Sequence, residues 1–167
     1  MTATSAPLRY ADPVDRWLAA LKFNGDLAAG RLLGDLLDDA IGAADPAAGC
    51  DWVIPLPLHA ARLRERGYNQ ALELLRPLAR RRRWPLVIDG LQRIRATTAQ
   101  SGLDARARRR NLRGAFVADP TVKGRRVLLF DDVITTGSTL REAALTVLRA
   151  GASEVRALAV ARVPAPA

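Results

Sequence analysis

The stretch VLLFDDVITTGSTL, residues 127–140, decides the fold of this chain. The apolar run over residues 125–130 predicts a buried strand, and an apolar stripe over residues 139–150 predicts a helix that Gly151 ends. A second apolar run, residues 154–163, predicts a final strand. A strand, a helix and a strand in direct succession are typical of a β-α-β unit with parallel strands. We therefore expect an α/β fold, a mostly parallel twisted sheet flanked by helices.

Two adjacent acids follow the predicted strand. Asp131 and Asp132 are expected just past its carboxyl end, where ligands of open α/β sheets bind. Neighbouring carboxylates repel one another, which makes sense if they accept hydrogen bonds from a sugar diol or approach a divalent cation. An ordinary acidic turn would leave the pair unexplained.

A hydroxyl-rich loop, Thr-Thr-Gly-Ser-Thr at residues 135–139, leads into the helix. The free N–H groups and the dipole of a helix N-terminus favour a phosphate group, and Thr139 and Glu142 have the spacing of a capping box. The loop is neither a Walker A sequence nor the dinucleotide-binding glycine pattern, so ATP hydrolysis and NAD chemistry are poorly supported. The alternative is a plain Ser/Thr helix cap.

The rest of the chain contributes elements that apolar periodicity and turn residues predict. They are helices within residues 12–41 on either side of Asn24-Gly25-Asp26, a strand at 52–58, a helix from about Asn69 to Arg83, a short strand at 86–88, a polar Arg-rich loop at 91–112 and a strand-like run at 114–117. We expect a single domain over residues 1–167, with a helical part at about 1–45 and a core at about 50–163.

The charge, the apolar runs and the cysteine count of the chain limit the classes of function that it can have. The net charge of +9 would attract polyanions, either nucleic acid or phosphorylated metabolites. No apolar run has the length of a membrane span, so we expect no membrane insertion and a cytoplasmic location. Cys50 is the only cysteine, which excludes an internal disulfide and a multi-cysteine zinc site built from this chain alone.

Residues 129–139 resemble the motif that binds 5-phosphoribosyl-1-pyrophosphate (PRPP) in type I phosphoribosyltransferases. In that family the acid pair holds the ribose hydroxyls and the following loop holds the 5-phosphate. The resemblance therefore implies a type I phosphoribosyltransferase fold, with a small hood and a mobile loop. The PRPP-binding residues that it implies are Asp131, Asp132, Thr135, Thr136, Gly137, Ser138 and Thr139.

Further stretches resemble the ComF branch of that family, which is associated with competence and DNA uptake. They include Leu21-Lys22-Phe23 with Gly25-Asp26, Pro55 to His59, Arg62 to Gln70, and matches from Arg93 to Phe116, so that the resemblance extends from about Tyr10 to Val163. Many members carry a four-cysteine zinc module before the Leu-Lys-Phe region. This chain begins almost directly at that region, so no zinc function is carried over.

The resemblance implies a magnesium-assisted reaction in which an acceptor nitrogen displaces pyrophosphate from C1 of PRPP. It implies pyrophosphate binding in the loop at residues 58–68 and a mobile loop over residues 93–111; the acceptor would be selected by a hood built from the first helices and parts of residues 86–117. The residues implied are Asp131, Asp132, Arg93 and Arg95 for catalysis, Arg64, Arg66 and Gly67 for pyrophosphate, and Thr97, Gln100, Arg108 and Asn111 for the mobile loop.

Two functions stay open at this point. One is a Mg²⁺-dependent phosphoribosyltransferase with an unidentified nitrogenous acceptor. The other is an accessory protein of DNA uptake that binds single-stranded DNA, alongside competence proteins, and uses PRPP as a ligand or not at all. The arginine-rich residues 106–113 are compatible with either, because arginines contact nucleic-acid phosphates without regard to sequence.

Structural roles are expected for the remaining conspicuous residues. His59 follows a buried run and is interpreted as structural more readily than as catalytic. The run Arg80 to Arg83 is interpreted as a solvated helix end whose charge complements the helix dipole. The tryptophans, at positions 17, 52 and 84, are interpreted as core or rim anchors.

Overall fold

The computed structural model describes residues 2–96 and 112–164. Its regular elements alternate along the chain in the manner of an α/β protein. They are β1 (Ala3–Ser5), β2 (Leu8–Arg9), α1 (Val14–Asn24), α2 (Leu27–Ile41), β3 (Trp52–Pro55), α3 (Ala60–Arg66), α4 (Gln70–Arg82), β4 (Leu91–Arg93), β5 (Phe116–Ala118), β6 (Arg126–Ile134), α5 (Ser138–Arg149) and β7 (Glu154–Arg162).

The strands form a parallel sheet in the order β1-β7-β6-β3. Strand β2 also pairs with β7, at a later part of β7 than β1 does. The β6-α5-β7 succession is the predicted β-α-β unit, and its two strands are parallel from Arg126 opposite Glu154 to Ile134 opposite Arg162. On the other side, β3 lies parallel to β6 with Pro55 opposite Phe130. The predicted fold class is therefore confirmed.

Helices cover both faces of this sheet. Alternation along β6 sends Leu128 and Phe130 to one face, where α1, α2 and α4 pack around them, and sends Val127 and Leu129 to the other, beneath α5 and the β4–β5 pair. Phe130 is fully buried. Among the helices in the described ranges, none combines the length and apolar character needed to cross a bilayer.

The sequence prediction is incomplete at the N-terminus. Residues 1–45 were expected to form a helical part, but helix begins only at Val14, and residues 3–9 supply β1 and β2 of the central sheet. These strands are too short to have a detectable apolar period, and they are held by parallel pairing with β7. Tertiary pairing, not local propensity, forms them.

Two other predicted elements differ in extent. The strand expected at residues 52–58 ends at Pro55, and the one expected at 86–88 is reduced to a single bridge between Leu86 and Val53. Residues 58–68, expected as a loop, contain α3. Its N-cap is His59, whose side-chain Nδ1 accepts the N–H of Ala61 at 3.2 Å. The structural interpretation of His59 thus has a physical basis, which is helix capping.

The end of α4 is not simply solvated. Arg81 donates to Asp35 and to Asp38 of α2, each at 2.7 Å, and Arg82 also donates to Asp38. The interpretation of this run as a solvated helix end is therefore wrong for Arg81 and Arg82. Because α2 and α4 lie side by side on one sheet face, the arginines of one helix meet the aspartates of the other.

Asp38→Asn is expected to lower the free energy of unfolding by about 1 kcal/mol at pH 7, as measured by urea denaturation. Burial acts to raise the pKa of Asp38, but hydrogen bonds from Arg82 and Arg81 hold that pKa below its usual value of 3.8. A carboxyl whose pKa is lowered in the folded state stabilises above its unfolded pKa. The difference between wild type and variant should therefore shrink as the pH falls below about 4.

Asp39→Asn is the matched control, since Asp39 is the next residue of α2 and is exposed. An equal loss of stability in both variants at pH 7 would contradict a role for the Arg81–Asp38–Arg82 contacts.

Candidate active site

The acid pair lies inside β6 and not beyond its end, because β6 continues to Ile134. The expected position just past the strand is corrected accordingly. Successive side chains of a strand leave from opposite faces. The contact with Lys22 places Asp132 toward α1, and the electrostatic interaction with Arg93 places Asp131 near β4. The two carboxylates nevertheless remain close to each other, since the charge of Asp132 raises the pKa of Asp131.

Asp132 is paired with Lys22. The Lys22 Nζ lies 2.5 Å from Asp132 Oδ2, and the two side chains are 24% and 5% exposed. Oδ2 is buried and makes no hydrogen bond of suitable angle, so the contact is an ion pair. The other oxygen, Oδ1, accepts the N–H of Val133 at 2.9 Å. Lys22, in the last turn of α1, thus supplies the positive charge that a buried carboxylate requires.

Asp131 lies near Arg93. Burial raises the pKa of Asp131 well above its usual value, the charge of Asp132 adds to the rise, and Lys22 opposes it. Burial lowers the pKa of Arg93 in β4, and the charge of Arg62 lowers this pKa further. The charge of Asp131 acts in the opposite direction, which shows that Asp131 and Arg93 are close. The Arg93 guanidinium also lies 5.6 Å from the ring centre of Phe116. The structure thus groups Arg93 with Asp131, and adds Arg62, which sequence reasoning did not select.

The loop after β6 has the form expected of a phosphate site. Gly137 is the N-cap of α5 and has φ 71°, a left-handed conformation that favours glycine. Thr136 Oγ1 and Ser138 Oγ are 2.8 Å apart, and the Ser138 N–H points to Thr136 Oγ1 at 3.4 Å. Because glycine has no capping side chain, amides of the first turn are available to an anion.

The predicted capping box is wrong. Since α5 begins at Ser138, Thr139 lies inside the first turn and cannot be the N-cap. Glu142 reaches away from the helix start, and its Oε1 accepts the N–H of Gly114 at 3.0 Å. Glu142 therefore fastens the segment before β5 to α5.

A cleft of about 520 Å³ adjoins the loop that follows β6. Residues 135–137 form one of its walls, Arg141 and Arg162 supply positive charge, and Leu145 and Leu148 of α5 supply an apolar side. The cleft lies on the α5 face of the sheet. It meets the loop but not the acid pair.

The residues predicted to bind pyrophosphate lie at the end of α3. Arg64 is exposed, and Gly67 ends the helix with φ 83°. Arg66 donates to Gln70 Oε1 and lies with its guanidinium 5.9 Å from the ring centre of Phe23. Arg66 is therefore partly engaged by the protein, whereas Arg64 is directed to solvent.

The ends of the predicted mobile loop are held together. The strands β4 and β5 are antiparallel, Ile94 donates its N–H to the carbonyl of Ala115 at 2.9 Å, and Arg95 Nη1 donates to the carbonyl of Arg113 at 2.9 Å. Arg95 thus closes the base of this segment. The predicted loop residues, which lie outside the described ranges, are Thr97, Gln100, Arg108 and Asn111.

Residues 69–167 match the phosphoribosyl transferase domain family. The chain belongs to that family. DNA utilization protein YhgH of Escherichia coli O157:H7 is 37% identical to it over 156 residues, which are 92% of this chain and 69% of that protein. Competence protein F of Haemophilus influenzae is 36% identical over 159 residues, with the same two shares. The predicted resemblance to the ComF branch is confirmed.

Solved structures agree on the fold of this phosphoribosyl transferase domain. A glutamine PRPP amidotransferase from B. subtilis, in complex with ADP and GMP, superposes with a TM-score of 0.52 at 23% identity. A structure described as the allosteric regulatory enzyme of purine biosynthesis superposes with a TM-score of 0.50 at 24% identity. In each case the match covers 80% of this chain and 26% of the other. At such identities the likeness concerns the fold alone.

Lys22, like Arg62, was not among the predicted site residues. We predict that Lys22→Met lowers the free energy of unfolding by about 2 kcal/mol at pH 7, because it leaves a buried carboxylate unpaired. Lys22 also lowers the pKa of Asp131. Its removal raises that pKa further, so the variant loses stability relative to the wild type as the pH rises through the folded pKa of Asp131, which lies well above the usual value. The deficit, measured by urea denaturation over a series of pH values, should therefore grow as the pH is raised.

Lys123→Met is the control, since Lys123 is the other lysine of the chain and is exposed. Adding Asp132→Asn to Lys22→Met should restore much of the stability. Equal deficits in the two lysine variants, or no recovery in the double variant, would show that the Lys22–Asp132 pair does not stabilise the fold.

Proposed function

We propose that this chain is a PRPP-binding phosphoribosyltransferase of the ComF type, which acts in the cytoplasm and transfers the phosphoribosyl group to a nitrogenous acceptor with release of pyrophosphate. One observation carries the proposal. An acid pair, Asp131 and Asp132, and a glycine-containing hydroxyl loop, residues 135–139, stand together at the carboxyl edge of a parallel sheet. Ligands of open α/β sheets bind at that edge.

The substrate would be held at two points. The 5-phosphate would accept hydrogen bonds from the amides and hydroxyls of residues 135–139, where the dipole of α5 favours a negative charge. The ribose hydroxyls would donate to Asp131 and Asp132. Beside Asp132, the Lys22 ammonium group supplies a positive charge.

Pyrophosphate requires positive charge. Arg62 and Arg64 of α3 are exposed, and Arg93 is the neighbour of Asp131. A planar guanidinium group binds phosphate oxygens in a bidentate manner. We propose that these arginines, with Arg66, Gly67 and Arg95 at the margins, bind the leaving group, and that the predicted loop residues Thr97, Gln100, Arg108 and Asn111 exclude water from PRPP during the reaction.

The reaction is a single displacement. The lone pair of an acceptor nitrogen forms a bond to C1 of PRPP, the C1–O bond to pyrophosphate breaks, and pyrophosphate leaves with that electron pair. The nitrogen then loses its proton to solvent. The carboxylates of the acid pair stabilise the positive charge that develops on the ribose ring, and the arginines stabilise the negative charge on the leaving group.

Magnesium fits this site as an ion brought with the substrate. In residues 2–96 and 112–164, no group of three or more His, Cys, Asp or Glu residues could hold a metal. The acid pair, however, offers two carboxylates, and a cation beside it would oppose the rise in the Asp131 pKa that burial causes. Mg²⁺ prefers few carboxylates together with phosphate oxygens and water, which is the set that this pair and pyrophosphate would provide. When bound, the ion would neutralise the leaving group.

PRPP binding is expected to be lost in the double variant Asp131→Asn/Asp132→Asn, as measured by isothermal titration of the protein with PRPP in the presence of Mg²⁺. We expect an affinity at least tenfold weaker, because each carboxylate hydrogen bond is worth about 1.5–3 kcal/mol. A double variant of two exposed acids, Asp39→Asn/Asp89→Asn, removes the same charge elsewhere and should bind as the wild type does.

Failure of the wild type to bind PRPP would contradict the proposed function. So would equal binding by the wild type and the acid-pair variant. Release of pyrophosphate with a nitrogenous acceptor, absent from the acid-pair variant, is the result that establishes the reaction.

A link to DNA uptake or use is the second part of the proposal. The relatives named above carry names that refer to DNA utilization and competence, and the chain has a net charge of +9. Such a charge favours binding to the phosphates of single-stranded DNA. A DNA-binding accessory protein that retains PRPP as a sensed ligand is the alternative to an enzyme, and competence proteins would then be its partners.

Affinity for a single-stranded oligonucleotide, measured by fluorescence anisotropy, is expected to fall steeply between 50 and 200 mM salt, because bound arginines release counterions from the DNA. A fluorescein-labelled single strand and its duplex are the two probes. DNA binding with no pyrophosphate release from PRPP would favour the accessory protein, and no salt-dependent binding would contradict the DNA link.

A further inference from the structure

Helix α3 carries arginines of the proposed pyrophosphate site but adds nothing to the hydrophobic core. All seven of its residues lie within the described ranges, and none of them is buried. Burial of side chains against a neighbouring element is what normally fixes a helix in place. Since α3 lacks such burial, the positions of Arg62 and Arg64 depend on how the two ends of the helix are attached.

Both ends of the segment that contains α3 are attached at Leu56. This residue follows β3 and is buried, and its N–H donates to the carbonyl of Phe130 in β6 at 2.8 Å. After the helix, Asn69 donates from its side-chain Nδ2 to the carbonyl of Leu56 at 3.0 Å. Residues 57–68 are thus closed into a loop, and the loop is bonded to the residue that directly precedes Asp131.

Asn69 is itself held in a defined orientation. It is the N-cap of α4, and its Oδ1 accepts the N–H of Ala71 at 3.0 Å. The preceding residue, Tyr68, donates its hydroxyl to the carbonyl of Leu21 in α1. A helix cap requires only the side-chain oxygen, which serine and aspartate supply as well as asparagine does. The bond from the amide nitrogen to Leu56 is therefore a separate role of this side chain.

We propose that Asn69 is a positioning residue for the pyrophosphate leaving group. By closing the loop onto Leu56, it holds Arg62 and Arg64 at the carboxyl edge of the sheet, beside the acid pair. The inference rests on the proposed function and extends it to a residue that does not touch the substrate. Without this bond, α3 adopts orientations in which its arginines miss the ligand, and the apparent affinity falls with the fraction of competent molecules.

The test is isothermal titration of the full chain with Mg²⁺-pyrophosphate and, separately, with ribose 5-phosphate. Asn69→Ser keeps a capping side chain and removes the amide nitrogen. It should bind pyrophosphate about fivefold more weakly than the wild type, as expected for the loss of one ordinary hydrogen bond. Its affinity for ribose 5-phosphate, which would bind through residues 135–139, should be unchanged. A general loss of structure would weaken both ligands.

Asp119→Ser is the matched control. Asp119 is also an N-cap, and its Oδ1 accepts the N–H of Thr121 at 2.7 Å. It precedes the first residue of β6, whereas the candidate site is at the carboxyl end of that strand. This variant should bind both ligands as the wild type does, and thermal melting shows whether each variant is folded.

Asn69→Asp is the second variant. It keeps the cap and the shape of the side chain but replaces the donor with another acceptor. It should weaken pyrophosphate binding at least as much as Asn69→Ser, because its negative charge also opposes the anion. A folded Asn69→Asp protein with wild-type affinity for pyrophosphate would contradict the positioning role, whatever the stability of Asn69→Ser.

Other outcomes also overturn the inference. They are equal pyrophosphate affinities of the wild type and folded Asn69→Ser, an equal loss of both ligands in that variant, and a wild type that binds PRPP but no pyrophosphate. PRPP titration of the same wild-type preparation tests the proposed function itself. Absent PRPP binding contradicts that function and the inference with it, whereas intact PRPP binding with any of the three outcomes overturns the positioning role alone.

Discussion

Parallel hydrogen bonding of β6 between β3 and β7 is the constraint on which the site depends. Because all three strands run in one direction, their carboxyl ends meet at one edge, and the chain that leaves each strand begins there. The loop after β6 enters α5 at this edge, and the segment after β3 enters α3 at the same edge. The loop after β6 and α3 are far apart in the sequence, yet both follow strands that end at this edge.

The pleat of β6 then distributes charge. Two consecutive aspartates repel one another, and the charge of Asp132 does raise the pKa of Asp131, but each of them also lies near a different cation. Asp132 is buried against the lysine of α1, and Asp131 shares the other face with Arg93. Helix α1 thus places Lys22 beside β6, and the β4–β5 pair places Arg93 beside it. This arrangement keeps negative charge at the sheet edge at a moderate energetic cost, since a buried carboxylate without a partner is strongly destabilising.

Local sequence patterns were sufficient for the central unit and for the phosphate loop. The apolar runs of β6 and β7, the stripe on α5 and the glycine at position 137 are strong signals that act over short distances. The details that depend on distant residues were not predictable. Glu142 has the spacing of a capping partner, but Gly114 is closer in the folded chain. Arg81 and Arg82 lie at a helix end that the sequence suggests is solvated, but both of them donate hydrogen bonds to Asp38 of α2. Lys22 was visible only as part of a resemblance, because no periodicity indicates that the end of α1 reaches Asp132.

The closure of β4 against β5 has an evolutionary consequence. The hydrogen bond from Ile94 to Ala115 and the one from Arg95 to Arg113 bring together two points separated by about twenty residues. Once the ends of a segment are joined, the entropy of closing it changes only with the logarithm of its length, so that a doubling costs about 0.6 kcal/mol. Insertions and deletions between these points are therefore inexpensive for the sheet. A change in the length of this segment therefore leaves the strand that carries Asp131 and Asp132 as it is.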